Sequence, residues 1–433
     1  MANSAQNRIW IARDSLRGVR AALISAVVVV LVVVATQSAQ AQVFTVLHNF
    51  YGLDGGNPYA GVIMDASGNL YGNTEEGGTS DYGTVFKLNK NRDETVLYSF
   101  AGGSDGANPY GNLIRDASGN LYGTTYRGGV SGYGTVFKLS KSGEETVLYS
   151  FNGGTTDGCN PFAGLLRDKA GSLYGTTVEC GASGDGTVFK LDANGKENVL
   201  HSFGGSDGAN PGFASLLMDT RGNLYGDTNL GGDLNCNSGY GCGVIYKLSK
   251  TGTLTLLHEF AGGSSDGCYA VGTMAMDGEG NLYGTAAACG ASGNGIVWKL
   301  STSGTEAVLH NFAGGSADGA LPVAGVIMDA KGNLYGDTYE GGPLNVGTVY
   351  KVSRIGKLTL LHKFAGRGGE FPNGILIRDA TGSLYGTASG GGRYRYGTVF
   401  KVDPAAISEK KHQREKVGPN SSGVRTQAIA ASP

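Results

Sequence analysis

The triplet Leu-Tyr-Gly returns seven times along 433 residues, with its tyrosine at Tyr71, Tyr122, Tyr174, Tyr225, Tyr283, Tyr335 and Tyr385. The intervals are 51, 52, 51, 58, 52 and 50 residues. A unit of that length cannot bury its apolar face alone, so neighbouring units must stack, as in a propeller or another repeat array. Composition narrows the choice. The 76 glycines would weaken helices by ~1 kcal/mol at each interior position, and they show no Gly-X-Y period of the collagen kind. With 40% apolar residues and a net charge of −2, the chain can bury a core. Turn-dense β structure remains.

Each period contains four short strand candidates, for example residues 111–116, 120–125, 134–139 and 145–151, which match one four-stranded propeller blade. Between the first two lies Asp-Ala-Ser-Gly-Asn (65–69, 116–120) or a close relative, where Asp forms an Asx turn and Gly takes a positive φ. A short polar turn such as 140–143 joins the last two, so both connections are hairpins. The remaining connections, such as 101–108 and 126–133, are longer and glycine-rich. Hairpin geometry gathers them on one rim. The outer-strand signature Val-Leu-(His/Tyr)-x-Phe first occurs at 46–50, before any complete repeat, whereas the last repeat stops after 397–402 without one. The expectation is an all-β, seven-bladed β-propeller over 42–403, closed by the N-terminal strand completing the last blade. Such closure hides the edges that an open sheet would expose, and a linear solenoid would not need permuted ends.

The stretch LYGTTYRGGVSGYGTVFKL at 121–139 resembles the GloVer tandem repeat of exported bacterial proteins, a likeness that runs from about 43 to 403. The resemblance implies a propeller and a C-terminal surface anchor of variable type, and it brings no enzymatic activity with it. Residues 404–433 contain no hydrophobic sorting helix and read as a polar, disordered tail.

Four arginines precede the apolar run 21–35, which ends in a small-residue site at 39–41. This reads as a signal peptide cleaved after Ala41, leaving no membrane span because the run is shorter than the ~20 residues that crossing needs. Without the four arginines and one aspartate of 1–41, 30 basic and 35 acidic residues remain, a balance that disfavours nucleic acid. The expected location is periplasmic, secreted or at the cell surface, where six cysteines form disulfides. Cys159 and Cys180 stand 21 apart, as do Cys268 and Cys289 at equivalent places in another repeat. Equal register implies equal pairing, and Cys236 with Cys242 remains.

Five histidines, His48, His201, His258, His310 and His362, occupy one outer-strand position that Tyr98 and Tyr149 fill in the other blades. One per blade, they diverge around the ring, so packing rather than catalysis is expected and no metal site is assigned. Seven third-strand lysines (Lys87 is the first) and seven first-strand aspartates (Asp65 is the first) are expected to form ion pairs near the tight-hairpin rim. The long-loop rim carries six Asp-Gly pairs, at Asp54, Asp105, Asp157, Asp207, Asp266 and Asp318, with Tyr59, Tyr110, Phe162 and Tyr269 following several of them. Acids beside aromatic rings suit hydroxyl-rich ligands, because sugars offer both donors and an apolar face. These ten residues are the candidate ligand contacts. The expected function is an exported binding or scaffold propeller, monomeric, without cofactor, taking a glycan or another extracellular protein. A carbohydrate-active hydrolase or lyase and a structural envelope protein are the alternatives, since fold does not dictate function.

Overall fold

A computed structural model describes residues 43–404; the leader read at 1–41 and the tail from 405 onward lie outside them. The described residues form strands and turns, with one short 3-10 turn at Asn237–Gly239. Seven blades of antiparallel strands follow one another, and the second blade shows the plan: Ile114–Arg115, Leu121–Thr125, Thr135–Leu139 and Glu145–Ser150 pair in that order. The innermost strand of most blades is shorter than the sequence pattern suggested, two residues instead of six. The fifth blade differs, its innermost strand running over Gly267–Met276 and drawing in the cysteine-bearing loop.

The repeated residues explain the repeated strands. Every residue of Leu121–Thr125 is buried, as a strand with sheet on both sides requires. Glycine stands at its centre because Phe137 of the next strand lies across it; a Cβ on Gly123 would come within 2.7 Å of the Phe137 ring. The Asx turn forms as the sequence implied: Asp116 accepts the Asn120 backbone N–H at 2.9 Å, and Gly119 has φ 94°.

Aromatic residues join the blades. Phe100, at the end of one outer strand, meets Phe137 of the next blade edge-on with centroids 5.2 Å apart. The same contact recurs at Phe151–Phe189, Phe203–Tyr246, Phe260–Trp298, Phe312–Tyr350 and Phe364–Phe400. Each such pair adds about 0.5–1.5 kcal/mol beyond area burial. The seventh, Phe50–Phe86, starts from the N-terminal strand. Val43–Asn49 is the outer strand beside Thr398–Asp403, and the Phe50 N–H donates to the Gly397 carbonyl at 3.1 Å. The propeller is therefore closed by its N-terminal strand.

All three disulfides expected from the repeat register are present: Cys159–Cys180, Cys236–Cys242 and Cys268–Cys289. The expected lysine–aspartate ion pairs are not. Asp65 is occupied by the Asn69 backbone and side-chain amides and by the Tyr71 hydroxyl, and these hydrogen bonds outweigh burial to hold its carboxyl below the usual range. Lys87, opposite Tyr71 in register, lies over the tyrosine ring at 5.9 Å. Five other blades repeat this cation–π contact, because the Asx turn has already taken the carboxylate.

Candidate binding site at the channel mouth

After the Asp-Gly turn, each inter-blade loop reaches the axis and then enters the innermost strand. One side chain per blade is delivered to the mouth of the central channel: Tyr59, Tyr110, Phe162, Phe213, Val271, Val323 and Asn373, around a cavity of about 580 Å³. Tyr110 and Phe162 stack with centroids 4.4 Å apart and planes 14° from parallel. Tyr59 stands edge-on to both, and Phe213 lies 5.0 Å from Phe162. Tyr126 meets Tyr110 from the outer side, and the Tyr110 hydroxyl donates to the Glu75 carboxylate. Four successive blades thus give an aromatic wall whose rings are fixed by one another.

Asn373 holds the equivalent place in the seventh blade. It is 9% exposed; its amide makes no close hydrogen bond, and its nearest polar neighbour is the Tyr59 hydroxyl. No lining residue carries a carboxylate, imidazole, thiol or amine. The ionisable groups there are phenols, and burial pushes those of Tyr59 and Tyr110 upward. The mouth itself thus presents ring faces, hydroxyls and amide groups, with the Glu75 carboxylate behind the Tyr110 hydroxyl.

The ten residues singled out from the sequence separate into two places. Tyr59, Tyr110, Phe162 and Tyr269 line the cavity. The six aspartates stay in the turns, facing the outer strands. Asp54 is 1% exposed and meets His48 Nε2 at 2.8 Å, while also accepting the Tyr51 N–H. His201–Asp207, His258–Asp266 and His310–Asp318 repeat the pair at 2.8, 3.4 and 3.3 Å. Where tyrosine replaces histidine, the hydroxyls of Tyr98 and Tyr149 donate to Asp105 and Asp157. The histidines pack on the following phenylalanine, as at His48–Phe50 with centroids 4.8 Å apart. His48, Asp54 and Glu94 bring their ligand-type atoms within 4.8 Å of one another, but the same grouping recurs with tyrosine for histidine at Tyr98, Asp105 and Glu145. Its recurrence marks a brace between blades.

Phe213 and Asn373 also line the mouth and were not singled out from the sequence. A one-residue insertion at 212 displaces Phe213 from the Asp-Gly register. Asn373 was hidden because the seventh loop lacks the Asp-Gly signal, having Gly368-Gly369 in its place.

A family model described as the Gloeobacter/Verrucomicrobia repeat matches residues 32–238 and 234–414. No curated protein matches the chain. Among solved structures, it is similar to the extracellular domain of a protein described as a hybrid two-component system from B. thetaiotaomicron, at 15% identity and TM-score 0.52, over 83% of this chain and 41% of that one. The extracellular domain of a one-component system from the same organism gives 9% identity and TM-score 0.50, over 81% and 39%. A gluconolactonase from Xanthomonas campestris gives 15% identity and TM-score 0.42, over 74% and 89%. This chain spans about two fifths of the two B. thetaiotaomicron chains, and at these identities the likeness is one of fold.

Proposed function

The chain belongs to the Gloeobacter/Verrucomicrobia repeat family, and we propose that it is an exported binding propeller that holds a glycan at the mouth of its central channel. The reading is carried by one observation: a cavity with an aromatic wall from four blades and an amide without a close hydrogen bond, Asn373, from another. A pyranose presents an apolar face to stack on such rings and hydroxyls to pair with an amide. Export is supported by the three disulfides, which persist in oxidising compartments, and no helix of the described residues is long and apolar enough to cross a membrane. The aspartates contribute by bracing the loops that present the rings, and braced loops lower the ordering cost of binding.

A glycan array identifies the sugar, and calorimetry then measures its affinity for variants. Tyr110→Ala with Phe162→Ala is expected to weaken binding at least tenfold, since each ring contributes on the order of 1 kcal/mol or more. Lys141→Ala with Ser142→Ala, on the opposite rim, leaves it unchanged. Loss only in the second variant, with both folded, places the ligand on the other face.

A further inference from the structure

The seventh blade departs from the other six in charge. Its second long loop reads Ser-Gly-Gly-Gly-Arg-Tyr-Arg-Tyr-Gly over 389–397. The place of Arg393 is held by Thr79, Val130, Ala182, Ala291 and Pro343 in the loops of equal length, and that of Arg395 by Asp81, Gly132, Gly184, Gly293 and Asn345. Gly390 stands where three of them have Glu76, Glu179 and Glu340. In the preceding inter-blade loop, Arg367 and Gly368 replace Leu53 and Asp54 of the first. Acids present elsewhere in the repeat are absent here, and three arginines are gained, on a chain whose net charge is −2.

The structure brings these substitutions together. Arg367, Arg393, Arg395 and Glu370 line a groove of about 890 Å³ together with Val46 and Asn49 of the N-terminal strand and the glycine run 390–392. The loop is held in place: the Arg393 N–H donates to Asn49 Oδ1 at 2.8 Å, and the Gly392 N–H to the Gly366 carbonyl at 2.8 Å. Arg393 lies over the Tyr394 ring at 5.2 Å. Tyr394 and Tyr51, 46% and 52% exposed, meet edge-on beside it. Among the described residues no ion pair involves any of the three arginines or Glu370.

We propose that this groove binds an acidic glycan, its arginines gripping carboxylate or sulfate groups and Glu370 accepting sugar hydroxyls. The guanidinium fork matches a planar oxyanion bidentately and binds it more strongly than a neutral donor would. A ligand made only of anions would be repelled by Glu370. One bearing anions and hydroxyls uses all four side chains, and the exposed tyrosines offer faces for its rings. The site is separate from the channel mouth and does not depend on the reading given for it.

Calorimetric titration of the purified protein at low salt with tetragalacturonate, sulfated dextran, neutral dextran and a dT oligonucleotide tests the proposal. At least one acidic sugar binds and neutral dextran does not; the tighter of the two names the anion. Arg393→Thr with Arg395→Asn weakens that binding at least tenfold. Both replacements occur in the same loop of other blades, and Arg395 has φ 68° where Asn345 has φ 56°, so the fold is retained; equal melting temperatures verify it. Should that variant not fold, Arg367→Ser gives the same reading with the residue found at Ser206. The Tyr110→Ala, Phe162→Ala variant keeps this binding, which separates the fate of this groove from that of the channel mouth. The proposal is overturned if neither acidic sugar binds, if the oligonucleotide binds as tightly as they do, or if the arginine variants bind unchanged.

Discussion

Single residues that break the repeat carry the most information about stability. The fourth position of the Leu-Tyr-Gly strand is Thr124 in the second blade, whose hydroxyl donates to the Ala163 carbonyl of the next blade at 3.0 Å; Thr387 does the same to Ala60. In the sixth blade the position is Asp337, fully buried, with neither carboxylate oxygen paired. Burial pushes its carboxyl well up, and the neighbouring Tyr350 hydroxyl is likewise buried and unpartnered. The fourth blade has the same combination in Asp227 and Tyr246, with Asp227 pushed up to about 8 by burial. An unsatisfied buried polar group costs about 1–3 kcal/mol, so removing one that has no partner to leave behind is stabilising. Asp337→Thr with Tyr350→Phe recreates the second blade's Thr124 and Phe137, and it is expected to stabilise the protein by about 1–3 kcal/mol. Chemical denaturation at pH 7 checks this, and a lower midpoint than the parent's would show that the acid and the phenol support each other. The co-occurrence of Asp and Tyr was visible in the sequence, but its meaning required knowing that both side chains are fully buried without a hydrogen-bond partner.

At the scale of the strand and its neighbouring loop, the sequence disclosed what seven copies could average. Hairpins, blade register and disulfide pairing were legible because glycine, Asx residues and cysteine fall at fixed offsets from Leu-Tyr-Gly. The direction of the loop aspartates was not. Asp-Gly marks a reversal equally well whether the carboxylate faces solvent or folds back, and here it folds back six to eight residues onto His48, Tyr98 or Tyr149. The next outer strand adds a glutamate to four of these clusters. Burial, aided by the adjacent aspartate and offset in part by His48 at Glu94 and by His258 at Glu306, pushes Glu94, Glu145, Glu197 and Glu306 up to about 7. Between the usual value of 4.5 and about 7 the unfolded chain releases protons that the folded chain keeps. This part of the stability is therefore complete below about pH 4.5 and falls as pH rises towards 7. Melting temperatures measured at pH 5 and pH 8 should drop for the parent, and the drop should shrink for Glu145→Gln with Glu197→Gln, whose amides stay neutral. An equal drop in the variant would place the titrating groups elsewhere.

For the whole molecule, the issue is whether seven blades behave as a ring or as a row. The last blade, where the N-terminal strand meets the C-terminal one, is the place to ask. His362 has no aspartate partner, since Gly368 takes that place; it stacks on Phe44 of the N-terminal strand instead, with centroids 3.6 Å apart and planes 4° from parallel. Burial lowers its pKa to about 4, so at neutral pH the ring is uncharged and stacks without the cost of a buried cation. Phe50 then supplies the seventh inter-blade aromatic contact and is 0% exposed, as Phe151 is two blades on. In a row, an end unit frays independently of the middle, so truncating Phe50 would cost little while truncating Phe151 would cost the full amount. In a ring the two positions are equivalent. Phe50→Ala and Phe151→Ala are therefore each expected to lose about 3–5 kcal/mol in one cooperative transition. Deleting 43–50 should do more, baring the Thr398–Asp403 edge to pairing with other molecules, which size-exclusion chromatography reads as aggregation. If Phe50→Ala melts like the parent while Phe151→Ala does not, or if the deletion stays monomeric, the N-terminal strand is an ornament on an open array and the ring is not what holds the molecule together.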